Sequence, residues 1–197
     1  PAEKSGQNEF DFEYGEQFAE HIQKFSPTFV KVLVRYNPED EAELNRRQLE
    51  RLKRLSDFCH ADGRKFMFEL LVPATAAQLE KSQGQNSIFD RELRPKLMVR
   101  AMEEIQNFGV EPDLWKLEGV ETPEDSRRVV DQAHVGNRKD VGVIVLGRGE
   151  NAEKVRHWLS TAAQVPGCIG FAVGRTIFWE PLKAAKEGKI TREQAVD

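Results

Sequence analysis

Leu114-Trp115-Lys116-Leu117-Glu118-Gly119-Val120 alternates large apolar side chains with charged ones before breaking at glycine. Successive residues of a β-strand face opposite sides. Trp115 and Leu117 therefore share one face, and Leu114, Lys116 and Glu118 share the other. Two earlier runs repeat the pattern. In Phe29–Tyr36, Val32, Val34 and Tyr36 oppose Lys31, Leu33 and Arg35. In Lys65–Val72, Phe66, Phe68 and Leu70 oppose Met67, Glu69 and Leu71. One face is apolar throughout, and the other carries Lys31, Arg35, Glu69, Lys116 and Glu118. An open doubly wound sheet covers both faces with helices, which leaves mid-strand charges hard to satisfy. A closed barrel packs its outer face on helices and keeps a lumen that can hold a polar site near the C-terminal strand ends. The charged parity is read as that lumen.

Two more apolar runs, Val141–Leu146 and Cys168–Val173, complete a set of five. Between the runs lie helical patterns. Leu49, Leu52, Leu55 and Phe58 recur every three residues, and Leu93, Leu97, Ala101, Ile105 and Phe108 every three or four, each forming one apolar stripe. Asn37-Pro38-Glu39-Asp40 and Thr122-Pro123-Glu124-Asp125 offer a capping side chain, an early proline and acids suited to a helix start. Gly63 and Gly109 are expected helix stops. Strand and helix in repeated alternation predict an α/β fold with a parallel sheet. An eight-fold barrel typically needs about 250 residues. With 197 residues and five clear strands, either the barrel is incomplete in this chain or the sheet is smaller and open.

Composition narrows the function. A net charge of −4, with basic residues scattered among acidic ones, argues against nucleic acid as the main partner. No run approaches the roughly 20 apolar residues of a membrane span, and Pro1–Phe10 lacks the pattern of a secretory signal. Cys59 and Cys168 build no disulfide framework, so a reducing cytoplasm is expected. Both cysteines read as core packing, and so do Trp115, Trp158 and Trp179. His21, His60, His134 and His157 show no ligand spacing, so no metal or other cofactor is expected.

A lysine in the middle of an apolar strand must lose hydration. Burial and neighbouring cations both favour a neutral amine, which can attack a carbonyl. Lys116 meets the first condition by its place in the run, and Lys31 or strand-end arginines could meet the second. Glu69, on the same face of a neighbouring strand, would carry the proton that Schiff-base chemistry requires. Glu118 would orient or protonate the amine. The competing reading pairs Lys116 with Glu69 and Lys31 with Glu118 as purely structural ion pairs. Leu146-Gly147-Arg148-Gly149 and Val173-Gly174-Arg175-Thr176 each follow a strand and precede an expected helix. Glycine lets a phosphate approach the backbone, arginine supplies a fork, and a helix start offers free N–H groups.

These motifs resemble a family. Val30–Tyr36, Phe68-Glu69-Leu70, Leu114–Glu118 and Val173-Gly174-Arg175-Thr176-Ile177-Phe178-Trp179 are similar, in order, to successive strands of class I aldolases of the tagatose-1,6-bisphosphate type. Ala2–Gly6 resembles the end of the third strand in that family. Nearly the whole chain resembles the aldolase-like domain often fused behind the sugar kinase of myo-inositol catabolism. That domain is thought to cleave 2-deoxy-5-keto-gluconate 6-phosphate into dihydroxyacetone phosphate and malonate semialdehyde.

The resemblance implies a single domain over residues 1–197: a (β/α)8 TIM barrel with strands three to eight present, lacking two N-terminal strands and a C-terminal helix. It implies Lys116 as Schiff-base lysine, Glu69 as acid/base, Lys31 as a substrate-contacting lysine and Arg175 as a phosphate ligand. By parity and position beside these motifs, Glu118 and Arg148 join the substrate and phosphate set, with Arg35, Gly147 and Gly174. A phosphorylated sugar is the expected ligand, with a fused or associated sugar kinase and a homo-oligomer as the other expected partners. The alternatives are a non-catalytic sugar-phosphate-binding domain attached to a kinase, or another barrel enzyme such as a metal-dependent aldolase or an isomerase.

Overall fold

The computed structural model describes residues 2–6 and 8–196; Pro1, Gln7 and Asp197, where the expected domain begins and ends, lie outside the described residues. All five apolar runs form strands: β1 (Phe29–Arg35), β2 (Lys65–Leu71), β3 (Leu114–Glu118), β4 (Gly142–Leu146) and β5 (Cys168–Ala172). They pair in parallel in the order of the chain, β1-β2-β3-β4-β5. Parallel strands joined in unbroken order by right-handed crossovers carry every connecting helix on one side of the sheet. A doubly wound sheet would instead reverse its order partway and be covered twice. The strand order thus leaves one face free of crossover helices, and that is the face bearing the charges.

The helices are α1 (Phe18–Phe25), α2 (Ala42–Ala61), α3 (Ala76–Lys81), α4 (Asn86–Glu92), α5 (Arg94–Asn107), α6 (Pro123–His134), α7 (Ala152–Ala162) and α8 (Arg175–Lys186). The apolar parity meets them. Val32, Phe66, Phe68, Leu70 and Trp115 are fully buried in one core with Leu52 and Leu55 of α2 and Met98, Ala101 and Ile105 of α5. Phe68 and Trp115 touch at a ring separation of 5.0 Å. Burying side chains of this size contributes about 1.5–3 kcal/mol each.

Three of the marked helix ends follow local chemistry and a fourth does not. The Thr122 side chain accepts from Asp125 N, and Pro123 opens α6. Gly63 and Gly109 take left-handed backbone angles after α2 and α5, and Arg64 N and Val110 N bond back to Cys59 O and Ile105 O. Asn37 departs from its expected capping role, since α2 begins only at Ala42. Its Oδ1 accepts from Glu39 N in a local turn, while its Nδ2 donates to Pro73 O and Gln78 Oε1, tying the end of β1 to α3.

Cys59 is fully buried on α2. Burial pushes its thiol up to about 12, with the nearby Asp113 and Asp62 charges adding to the rise. The thiolate is the reactive form. Iodoacetamide at pH 8, read by mass spectrometry, is expected to leave Cys59 unmodified in the folded chain and to modify it fully in urea. Trp115 and Trp158 lie in the core, whereas Trp179 is a correction: it is 52% exposed on α8, beside exposed Ile177, Phe178 and Leu182. Among the described residues no helix is long and apolar enough to cross a membrane.

The segment expected to end a preceding strand is more modest than that. Glu3 makes a single antiparallel bridge to Phe12, and Ala2 N donates to Lys31 O at 2.9 Å along the free side of β1. Phe10, Phe12 and Phe18 anchor this segment in the core, with the Arg54 guanidinium over the last two rings. Phe10 N also donates to Gln48 Oε1 of α2. The effect is to hold Glu3 against the charged face of the sheet.

Candidate functional site

Register sets the site. β2 pairs with β3 so that Glu69 lies directly beside Lys116, and β1 pairs with β2 so that Leu33 is opposite Glu69, with Lys31 two residues back on the same face. The Glu69 carboxylate bridges the two amines. Its Oε1 is 3.0 Å from Lys116 Nζ and its Oε2 is 2.8 Å from Lys31 Nζ. Lys31 Nζ also donates to Glu3 Oε1 at 3.2 Å. Glu3 Oε2 is buried with no hydrogen-bond partner, so this carboxylate has spare acceptor capacity beside the two lysines. Glu69 is buried, while Lys116 and Lys31 keep partial access to solvent. Two amines and two carboxylates are gathered on the uncovered face.

Glu118 lies elsewhere than expected. Its carboxylate meets neither Lys116 nor Lys31 in an ion pair. It accepts from Val72 N at 2.9 Å and lies 2.8 Å from Arg94 Nη1 and 3.1 Å from Arg148 Nη1. The reason is position: Glu118 ends β3, and there the side chains of α5 and of the loop after β4 reach it before the mid-strand lysines can. Arg94 is fully buried, with Asp90 Oδ1 at 3.3 Å from its Nε. Arg148 Nη2 donates to Asp90 Oδ2 at 2.5 Å and to Glu150 Oε1 at 3.2 Å. Burial works against the Arg148 charge, but the bond to Asp90 and the Glu118 and Asp90 charges outweigh it and hold the guanidinium above its ordinary range.

Trp158 of α7 braces this cluster. The guanidinium carbons of Arg94 and Arg148 lie 5.8 and 5.9 Å from its ring and Lys154 Nζ lies 5.5 Å away. Trp158 Nε1 donates to Glu121 Oε1 at 3.0 Å. Gly119 is what lets the ring in, since a Cβ there would stand 2.3 Å from Trp158 Cγ. Gly119→Ala is expected to lower stability by about 1–3 kcal/mol, the cost of overpacking against a rigid buried ring. Urea titration checks it through a fall in midpoint at unchanged slope.

The two Gly-Arg motifs come together at the ends of β4 and β5. Arg148 has φ of +50° between Gly147 and Gly149, a backbone conformation that side chains other than glycine adopt at a cost. Arg175, exposed at the start of α8, lies over Gly149: a Cβ on that glycine would meet Arg175 Nη2 at 3.1 Å. Thr176 Oγ1 donates to Glu150 O at 2.8 Å, fastening the start of α8 to the loop after β4. Gly174 precedes Arg175 as the N-cap of α8. Arg35 ends β1 on the same face as Lys31, partly buried. Among the described residues no group of three or more His, Cys, Asp or Glu side chains could hold a metal ion.

Sequence reasoning assigned no role to Glu3, Asp90, Arg94 or Glu150. Asp90 and Arg94 had one readable signal, opposite charges four residues apart just before Pro95. That spacing is common on exposed helix faces, and burial alone distinguishes this pair.

The family model described as "Uncharacterized protein conserved in bacteria (DUF2090)" matches residues 1–197. No curated protein matches the chain. Among solved structures, it is similar to a Schiff-base-forming fructose-1,6-bisphosphate aldolase at 17% identity and a TM-score of 0.58, covering 89% of this chain and 61% of that one. It is similar to an archaeal fructose 1,6-bisphosphate aldolase at 16% identity and a TM-score of 0.59, with the same coverages of 89% and 61%. A fructose-bisphosphate aldolase from Slackia heliotrinireducens matches at 14% identity and a TM-score of 0.58, covering 98% of this chain and 60% of that one. The chain thus spans about three fifths of the length of these structures. At such identities the likeness is one of fold.

Proposed function

The chain belongs to the bacterial family DUF2090, and from the geometry of its charged face we propose that it is the catalytic part of a class I, Schiff-base aldolase acting on a phosphorylated keto sugar. One observation carries the reading: a single buried carboxylate, Glu69, bridges the amines of Lys116 and Lys31 on the sheet face left free of crossover helices.

In this reading Lys116 Nζ passes a proton to Glu69 and attacks the substrate's keto carbon; Glu69 returns that proton to the departing hydroxyl, and loss of water leaves a protonated imine. The protonated imine draws electrons from the bond one carbon away. Glu69 accepts the proton of the hydroxyl on the departing carbon, the carbon–carbon bond breaks, and an aldehyde leaves. The remaining enamine takes a proton at carbon, and water releases the second product as a ketone. Lys31 supplies a cation for substrate oxygens, with Glu3 holding it in place. Gly147, Arg148, Gly174 and Arg175 form the phosphate end, Arg35 extends the substrate-facing set, and Glu118 acts from behind it by holding Arg148.

The resemblance of nearly the whole chain to the aldolase-like domain of myo-inositol catabolism favours a keto sugar acid, 2-deoxy-5-keto-gluconate 6-phosphate, cleaved between its third and fourth carbons to malonate semialdehyde and dihydroxyacetone phosphate. The same resemblance supports a cytoplasmic enzyme of inositol catabolism, fused to or associated with a sugar kinase and self-associating. Borohydride reduction in the presence of the keto sugar phosphate, followed by peptide mapping, tests the reading. The expected result is one adduct, on the peptide carrying Lys116; an adduct on any other lysine overturns the assignment.

A rival reading has its own observation: Lys116, Lys31, Glu69 and Glu3 already pair with one another. A non-catalytic sugar-phosphate-binding domain would use these charges structurally. It would bind ligand equally well after Lys116→Met and form no adduct.

A further inference from the structure

Arg148 faces two kinds of carboxylate. On its inner side are Asp90 and Glu118, both buried and both shared with Arg94. These four contacts form a closed arrangement of two acids and two guanidinium groups. On its outer side is Glu150, 36% exposed, which touches only Nη2, at 3.2 Å. Glu150 is the third acid on that pair of arginines, and it is the one nearest solvent. Its backbone carbonyl is held by Thr176, and Arg175 lies over the neighbouring Gly149. The Glu150 carboxylate therefore lies in the loop where the two Gly-Arg motifs meet.

We propose that Glu150 is a built-in competitor for the substrate's phosphate, its carboxylate occupying on Arg148 the position that a phosphate oxygen takes when substrate binds. The proposal rests on the phosphate end described above and adds the residue that sets its affinity. Displacement proceeds at Glu150 because that contact is single and half-exposed. Asp90 reaches both terminal nitrogens of Arg148, at 3.1 and 2.5 Å, and stays. An ion pair as exposed as Arg148–Glu150 is worth little in water, so the exchange needs only modest affinity from the incoming anion. The inner acids fix the Arg148 guanidinium, so its fork is already aimed when the anion arrives.

The test is titration of the full chain with inorganic phosphate, followed by calorimetry, for wild type, Glu150→Gln and Glu153→Gln. Glu153 lies in the first turn of α7, outside the contact, and serves as a control for simple loss of negative charge. Glu150→Gln is expected to tighten phosphate binding about two- to fivefold, the effect of removing one half-exposed ion pair, while Glu153→Gln leaves it unchanged. Unchanged or weaker binding in Glu150→Gln overturns the proposal. Equal tightening in both variants also overturns it, because a general field would then suffice. Absence of phosphate binding in every variant overturns it as well. Borohydride trapping with dihydroxyacetone, which carries no phosphate, is read in parallel, so the Lys116 assignment stands or falls on its own adduct.

Discussion

Lys116→Met is expected to abolish the borohydride-trapped adduct and to lower turnover by roughly 10⁴-fold or more, the order seen when a covalent nucleophile is removed. Methionine keeps the length and apolar stem of the side chain, so β3 should pair as before and the core face of Trp115 and Leu117 is untouched. What disappears is the one amine that lies directly beside Glu69 in register. The companion variant, Glu69→Gln, separates adduct formation from proton transfer. It keeps a hydrogen-bonding group between the two amines but cannot carry a proton. It should still yield a trapped adduct with prolonged incubation while turnover falls by about 10²–10⁴-fold, the usual contribution of a positioned acid or base. Turnover in Lys116→Met within tenfold of wild type would overturn the mechanism. Full turnover in Glu69→Gln would move the acid/base role to Glu3, whose Oε2 has no partner.

Arg94→Leu is expected to be the most damaging change to stability, by about 3–5 kcal/mol, because removing one partner leaves buried charge without compensation. Arg94 is fully buried and lies between Asp90 and Glu118, both of which it shares with Arg148. Without it two buried carboxylates face one guanidinium, and Trp158 loses a cation from its ring. Against a typical total of about 5–15 kcal/mol, such a loss is a large fraction of the stability. Chemical denaturation gives the size. A double-mutant cycle gives the cause: Glu118→Gln in the Arg94→Leu background should recover part of the loss, since it removes the charge left unpaired. A loss below 1 kcal/mol in Arg94→Leu, or strict additivity in the cycle, would show that the cluster is not electrostatically coupled.

How far the molecule could be read in advance depended on which interactions are local. Strand parity is local, and the alternation around Lys116, Glu69 and Lys31 placed all three on one face and the aromatic residues on the other. Thr122-Pro123 and Gly109 acted through bonds a few residues away and were equally legible. Asn37 makes only a local turn bond to Glu39 N, and α2 starts later, while its Nδ2 is claimed from 36 and 41 residues away by Pro73 and Gln78. Glu118 was placed on the correct strand but given the wrong partners, for Arg94 comes from a helix whose packing no periodicity describes. Trp179 looked like core by composition, yet α8 leaves it in the open.

The unbroken strand order also governs how the protein can be made. From β2 onward each strand emerges from the ribosome with its neighbour already made, so the sheet can grow by accretion during synthesis. The widest gap to bridge lies between Leu71 and Leu114, where α3, α4 and α5 intervene. Closing that span costs more chain entropy than any other pairing in the sheet. Glu69 and Lys116 meet only once this costliest closure is complete, so their pairing waits for β3 and cannot form on β1 and β2 alone.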